Sequence, residues 1–387
     1  MKEKFRYKES YLSYVVTFFF YYVCMAVFTS ILSVYLTGIG KSNAEMSFIL
    51  SASSLFGIVM IPIVGYLNDR IRKPKVIACV LIGVVAALGL LFSITRSTLA
   101  LYLLDGCIMG LVTAVSPITE RIAGGGRFRY GTVRVWGTVG YAISVQLCGI
   151  LMQHADPSLI FVLFSASAVL SIVGFAGTSG IPYEPEEKNE KTAGQFAFVK
   201  SPAFLLFVAA SFVFAGGSNI TLAYCPVFLQ TLGMNTGDVG TVLAISTLIE
   251  LPIILFSNKF MDRFSGKTLL LADFAAMAAQ FLLYGFITNA AAAVAVILLF
   301  KAVATTAFMM IRLKIVRNIV HEDFVSTAMG VEYAVNAVGA IVFQNAGGLL
   351  VEATNIHTLF FTFAGLMAVG LILTSFLKID NSKKVFS

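Results

Sequence analysis

The sequence predicts an all-α membrane protein, with twelve transmembrane helices arranged as two six-helix bundles. Three observations predict it. Hydrophobic residues make up 58% of the 387 and charged residues 12%, with a mean hydropathy of +0.89, a balance that excludes an ordinary soluble domain. Apolar runs of about 20 residues recur twelve times, the length needed to cross a bilayer core of ~30 Å at 1.5 Å per residue. The second half also repeats the first. At a fixed offset of 193 residues and without a gap, Gly40–Arg70 falls onto Gly233–Arg263, with Glu45 on Asp238, Ser53 on Ser246 and Asp69-Arg70 on Asp262-Arg263. One position breaks the symmetry: Gly57 of the first copy meets Glu250 of the second.

The first expected span, 11–37, follows a basic segment and is too long for a cleavable signal. Tyr14, Phe18 and Tyr22 form a stripe along it, read as core packing or as a stacking surface. Spans at 44–66 and 75–95 flank the first Asp-Arg loop, and 98–120 ends at Pro117-Ile-Thr-Glu120. The fifth and sixth spans, 131–153 and 158–178, complete an N-terminal domain over 1–178. Residues 179–200 hold Pro182, Pro185 and a mixed run of Glu and Lys, the composition of a flexible linker. The C-terminal domain, 201–387, carries spans at 202–230, 236–257, 268–288, 290–317, 325–352 and 356–377. The other connections are short, so neighbouring helices run antiparallel.

A net charge of +7 raises the question of nucleic acid, but its placement answers it. With the N-terminus inside, 24 of the 27 Lys and Arg residues fall in inside loops and tails, which puts both termini in the cytoplasm of a cell-membrane protein. The basic balance is topology, and no nucleic-acid partner is expected. Five single cysteines, Cys24, Cys79, Cys107, Cys148 and Cys225, give neither a disulfide framework nor metal-ligand spacing, so no cofactor is expected.

Charges within spans call for explanation, since each is unfavourable by about 2.5–3.5 kcal/mol on insertion scales. Glu250 lies mid-span beside Pro252 and reads as the main proton site; a structural pairing with Lys301 is the rival. Glu332, with Asn336 one turn on, reads as a supporting acid. Arg134, Thr138 and Tyr141 share one helix face and suit a small polar ligand through guanidinium, hydroxyl and ring. Glu120 is the partner expected for Arg134; the alternative is an arginine reaching to the cytoplasmic interface. Tyr22 and Asn219 are further cavity candidates. Asp105 could face a water-filled cavity, and Asp273 reads as interfacial at the cytoplasmic start of its span.

The whole chain resembles the major facilitator superfamily of transporters. The loop Gly65-Tyr-Leu-Asn-Asp69-Arg70-Ile-Arg72-Lys73 is similar to that superfamily's signature between spans two and three, and Asp262-Arg263 repeats it. The resemblance implies a latch between halves made by Asp69, Arg70, Asp262 and Arg263; a simple topology signal is the other reading. Tyr130-Gly-Thr-Val-Arg134-Val-Trp136-Gly137-Thr-Val-Gly140-Tyr141 resembles the fifth-span motif of the lactose permease, nucleoside–proton symporter and phenylpropionate permease group; in the lactose permeases the matching arginine and aromatic positions bind sugar. Ile249-Glu250-Leu-Pro252 is similar to that group's eighth span. The implied function is proton-coupled symport of a small organic solute (a sugar, nucleoside or aromatic acid) by a monomer in the lipid bilayer. An efflux antiporter is the nearest alternative, and a membrane receptor or enzyme a remote one. Glu250, Lys301 and Glu332 would then serve proton coupling, and Arg134, Glu120, Thr138, Tyr141, Tyr22 and Asn219 the substrate.

Overall fold

In the computed structural model the described residues are 7–124, 127–179, 197–255, 263–321 and 324–379. They fold as helices in series: α1 (Tyr11–Gly38), α2 (Asn43–Ile71), α3 (Pro74–Ile94), α4 (Thr98–Gly124), α5 (Tyr130–His154) and α6 (Leu159–Gly177). There follow α7 (Pro202–Thr231), α8 (Thr236–Leu255), α9 (Gly266–Phe286), α10 (290–319), α11 (Val325–Ala353) and α12 (Ile356–Ser375). Among the described residues, ten of these are long and apolar enough to cross a membrane, all but α8 and α10. The 179–200 linker falls mostly outside the described residues.

The starts of the helices are written in local chemistry. Pro74 and Pro202 open α3 and α7, where a missing N–H leaves nothing unsatisfied. Ser10, Ser265, Asn289 and Asn355 accept a hydrogen bond from the backbone N–H three residues on, removing one orphan donor each. Two helices also hold a π turn, which admits one extra residue: Val27–Ile31 in α1 and Ile297–Lys301 in α10.

The repeat seen in the sequence is a repeat of hydrogen bonds. α1 and α7 both end on a glycine in the left-handed region, Gly40 at φ 86° and Gly233 at φ 88°, a conformation that disfavours other residues. The bond from Lys41 N to the Leu36 carbonyl recurs as Met234 N to the Leu229 carbonyl. At the start of α2, Glu45 N donates to Ser42 Oγ at 3.2 Å; at the start of α8, Asp238 N donates to Asn235 Oδ1 at 2.8 Å.

The chain divides into two compact units. The first comprises Met1–Lys41, Phe48–Glu186 and Asn235–Ala244; the second comprises Ser42–Ser47, Glu187–Met234 and Ile245–Ser387. The tips of α2 and α8 thus belong to the unit opposite to the rest of each helix. In the first unit α1 packs on α5 and α6, and α3 on α4 and α6. In the second unit α7 packs on α11 and α12, and α9 on α10 and α12.

The contacts correspond residue by residue. A Cβ at Gly140 of α5 would sit 2.4 Å from the Phe19 carbonyl oxygen, and one at Gly339 of α11 would sit 2.6 Å from that of Phe212. Glycine lets the backbones approach this closely, which is how helices gain packing energy in lipid. Gly89 faces the Phe164 ring as Gly285 faces the Phe361 ring. The exchanged tips obey the same rule. In the first unit, Gly149 meets Gly240, and Gly237 N donates to the side-chain Oε1 of Gln153 at 3.1 Å. In the second, Gly348 meets Ser47, and Ala44 N donates to the Glu352 carboxylate at 3.1 Å.

Candidate functional site

In the first unit the polar centre forms where α1, α4 and α5 meet near the cytoplasmic ends expected for α4 and α5. Gly137 opens the space: a Cβ there would lie 2.5 Å from the Tyr22 ring. Tyr22 therefore lies against α5, and the Arg134 guanidinium carbon sits 4.2 Å from the centre of its ring, a cation–π contact. Arg134 Nε stands 3.2 Å from Glu120 Oε1, each side chain 31% exposed. Tyr22 donates its hydroxyl to Glu120 Oε1 at 2.9 Å, and Tyr130 donates to Oε2 at 2.6 Å. Glu120 thus accepts from an arginine and two phenols, and both carboxylate oxygens are satisfied.

The Glu120–Arg134 pairing expected from the sequence is present, and Tyr22 belongs to it. Tyr130 was not singled out; it stands one turn before Arg134 on the same face, which is a signal the spacing contains. Thr138 is half-buried one turn beyond Arg134. Tyr141 faces elsewhere: its hydroxyl bonds Thr29 and Ser30 within the π turn of α1. Tyr14 and Phe18, from the same stripe as Tyr22, are core.

The second unit also joins its tenth and eleventh helices by an ion pair. Arg312 Nη1 lies 3.4 Å from Glu332 Oε2, and Asn336 donates to Glu332 Oε1 at 2.6 Å. The Glu332 side chain is 0% exposed and that of Arg312 25%. Asn336 does solvate Glu332, as its position one turn on suggests. Arg312, one of the 24 bases that the sequence places on the inside, pairs in the structure with a buried carboxylate. Lys301, at the end of the α10 π turn, is buried and donates to Ser246 Oγ at 3.0 Å. Ser246 lies one turn before Glu250 on α8, so Lys301 reaches the face that carries Glu250, which is half-buried. Asn219 is half-buried on α7 and bonds its own helix, its amide donating to the Ala215 carbonyl at 2.9 Å.

Two readings change. Asp273 is not interfacial: it is 3% exposed, and neither carboxylate oxygen has a hydrogen-bond partner among the described residues. Its span starts at Gly266, so it stands about 10 Å inside α9 at 1.5 Å per residue. Asp105 is buried in α4 rather than open to a cavity. Of the four latch residues, Arg70 and Arg263 are exposed, while the Asp69 side chain and Asp262 lie outside the described residues. All five cysteines are free, and among the described residues no group of three or more His, Cys, Asp or Glu could hold a metal ion.

Comparison with known proteins gives this geometry a context. The profile of the family described as MFS_1 like matches residues 11–362. The maltose permease of Geobacillus stearothermophilus is 25% identical over 375 residues, 91% of this chain and 91% of that protein. The probable 3-phenylpropionic acid transporter of Escherichia coli (strain K12) is 24% identical over 266 residues, 66% of this chain and 68% of its own. Among solved structures, the nucleoside transporter NupG (D323A mutant) superimposes with a TM-score of 0.84 at 16% identity, covering 95% of this chain and 99% of that one. At that identity the match speaks for the fold alone.

Proposed function

The chain belongs to the MFS_1 like family of the major facilitator superfamily, a family of membrane transporters rather than enzymes, and we propose that it imports a small polyhydroxylated solute, of which a disaccharide is the model, together with a proton. Twelve spans in two six-helix bundles, with both termini cytoplasmic, form the frame of this reading; the Lys and Arg distribution supports it. The two halves alternate access to a site between inner and outer faces, as expected of parallel-repeat transporters.

The observation that carries the reading is the Glu120–Arg134 pair beneath the Tyr22 ring, partly exposed and placed on three helices. The pair engages Nε, and Tyr130 also meets the guanidinium, so a ligand would bind by taking over donors of this planar group. A vicinal diol can accept from that group and donate to a carboxylate oxygen, while Tyr22 offers an apolar plate. An aromatic carboxylate would meet the Glu120 charge, which disfavours it. The names of the similar permeases agree with a sugar, although they describe those proteins. Thr138 lines the same face, and Tyr141 and Asn219 stand further along as secondary contacts. Glu250 carries the proton, with Lys301 beside its face and Glu332 in support. Asp69, Arg70, Asp262 and Arg263 act as the cytoplasmic latch.

Trp136, the single tryptophan, lies two residues from Arg134 and provides the test. Maltose, a nucleoside and 3-phenylpropionate are titrated into the purified protein at two pH values while its fluorescence is followed. Saturable quenching by maltose, absent in Arg134→Ala, is the expected result. Saturation by 3-phenylpropionate alone, or by none of the three, ends the sugar reading.

A further inference from the structure

The α5 helix has two working faces. On one, Tyr130 and Arg134 turn toward Glu120 and Tyr22. On the nearly opposite side, Trp136, Ile143, Leu147 and Ile150 follow at spacings of seven, four and three residues, which aligns them in one stripe. Each of the four is between 37% and 43% exposed. Gly149 and the Val145 carbonyl, which meet Gly240 of the α8 tip, lie on the far side of the helix from this stripe. An exposed apolar stripe along a membrane span is the face that meets lipid.

The stripe ends in chemistry suited to a lipid headgroup. Trp136 Nε1 donates to the Tyr11 hydroxyl at 2.9 Å, which donates in turn to the Thr132 carbonyl at 2.9 Å. Two exposed amphipathic rings are thereby fixed at one depth, as tryptophan and tyrosine are at a membrane–water interface. Thr132 and Arg129 continue the same face, four and seven residues before Trp136. Arg129 thus stands about 10 Å beyond the indole, at headgroup level. Phe128 packs edge-on against Tyr11 and Tyr14, at 5.2 and 5.4 Å, and so holds the loop with Arg127 and Arg129 against α1. Both arginines are exposed, and among the described residues neither guanidinium has a hydrogen-bond or ion-pair partner. The acid nearby, Glu120, is already held by Arg134, Tyr22 and Tyr130.

We infer that this corner of α1 and α5 binds an anionic phospholipid. Its phosphate meets Arg127 and Arg129, its interfacial region lies on Tyr11 and Trp136, and an acyl chain follows Ile143 and Leu147. A zwitterionic lipid offers the same chain, but its own ammonium offsets the phosphate and it gains less from two guanidinium groups. The site lies on the lipid face, apart from the Glu120–Arg134 pair, and does not rest on the transport reading.

Trp136 is the single tryptophan, so its fluorescence reports this corner alone. The full chain is reconstituted in phosphatidylcholine nanodiscs that carry increasing amounts of brominated phosphatidylglycerol or brominated phosphatidylcholine. A basic residue at an anionic surface is worth about fivefold in binding. Half-maximal quenching should therefore need about fivefold less of the phosphatidylglycerol, by mole fraction, than of the phosphatidylcholine. In Arg127→Gln, Arg129→Gln the two curves should coincide while quenching by phosphatidylcholine persists. Arg127→Lys, Arg129→Lys keeps both charges and should retain the gap. Equal quenching by the two lipids in wild type, a gap that survives in the Gln pair, or no quenching by either lipid would overturn the inference.

Discussion

The seam between the fourth and fifth helices of the first unit and that between the tenth and eleventh of the second are built alike but charged in reverse. Glu120 on α4 meets Arg134 on α5; Arg312 on α10 meets Glu332 on α11. In the first seam both side chains are about a third exposed, and two tyrosines hold the acid. In the second the acid is sealed, with one arginine and one asparagine around it. The packing beside each seam is shared, since Gly140 on Phe19 sets α5 against α1 as Gly339 on Phe212 sets α11 against α7. One frame therefore hosts two chemistries: an accessible pair suited to exchange partners with a ligand, and a buried pair suited to stay.

The strongest way to break this contrast is at Glu250, where the first copy keeps Gly57. Glu250→Gln should abolish uphill, proton-driven uptake while solute exchange persists, because only the titratable proton is lost. Proteoliposome accumulation and counterflow measured side by side check it, and wild-type accumulation would remove Glu250 from coupling.

Next comes the buried seam. Arg312→Ala strands the Glu332 carboxylate and should lower stability by about 3–5 kcal/mol, with recovery in the Arg312→Met, Glu332→Leu pair. The same kind of cut in the exposed seam, Glu120→Gln, should lower stability by about 1 kcal/mol or less. Thermal or denaturant unfolding of both variants decides whether burial separates the seams; equal losses would erase the distinction.

Arg134→Lys sharpens the functional side. It keeps the charge but loses the planar fork, so solute affinity should fall about ten- to a hundredfold, for a loss of about 1.5–3 kcal/mol. Trp136 fluorescence titration reads it, and unchanged affinity would return Arg134 to an interfacial helix end.

The smallest effect concerns the exchanged tips. Glu352 caps the α2 start with a charge, whereas Gln153 caps the α8 start with a neutral amide. Glu352→Gln makes the two alike and forgoes about 0.3–1 kcal/mol of charge–dipole stabilisation. Thiol labelling of Ser47→Cys should rise by up to about fivefold, while that of Thr241→Cys in the α8 tip stays level.

Much of this was legible in the chain. The repeat showed itself in α2 and α8 because their offset stays at 193, with Ser42 and Glu45 matching Asn235 and Asp238. It was invisible further on because loop lengths differ: Gly89 maps to Gly285 at an offset of 196, and Gly140 to Gly339 at 199. The Glu120–Arg134 pair was readable from residue type and helix ends. Arg312 was not, since a base near a cytoplasmic helix end already satisfies the positive-inside pattern and prompts no search for a partner. Asp273 misled in the same way, as nearness to a span's start says nothing about which face points inward. The π turns leave no mark in hydrophobic periodicity, yet one supplies both hydroxyls that hold Tyr141, and the other ends at Lys301.

The two π turns also set the copies apart. α1 corresponds to α7 and α10 to α4, and neither partner carries one among the described residues. Phe19 and Gly40 flank the α1 turn and match Phe212 and Gly233 at the same offset of 193, so α1 and α7 hold the same number of residues between these points. The difference is one of winding: a wider turn changes the phase of a helix across it, so residues at matching positions face different neighbours. One sequence repeat can in this way present two different polar faces while its glycine contacts stay in place.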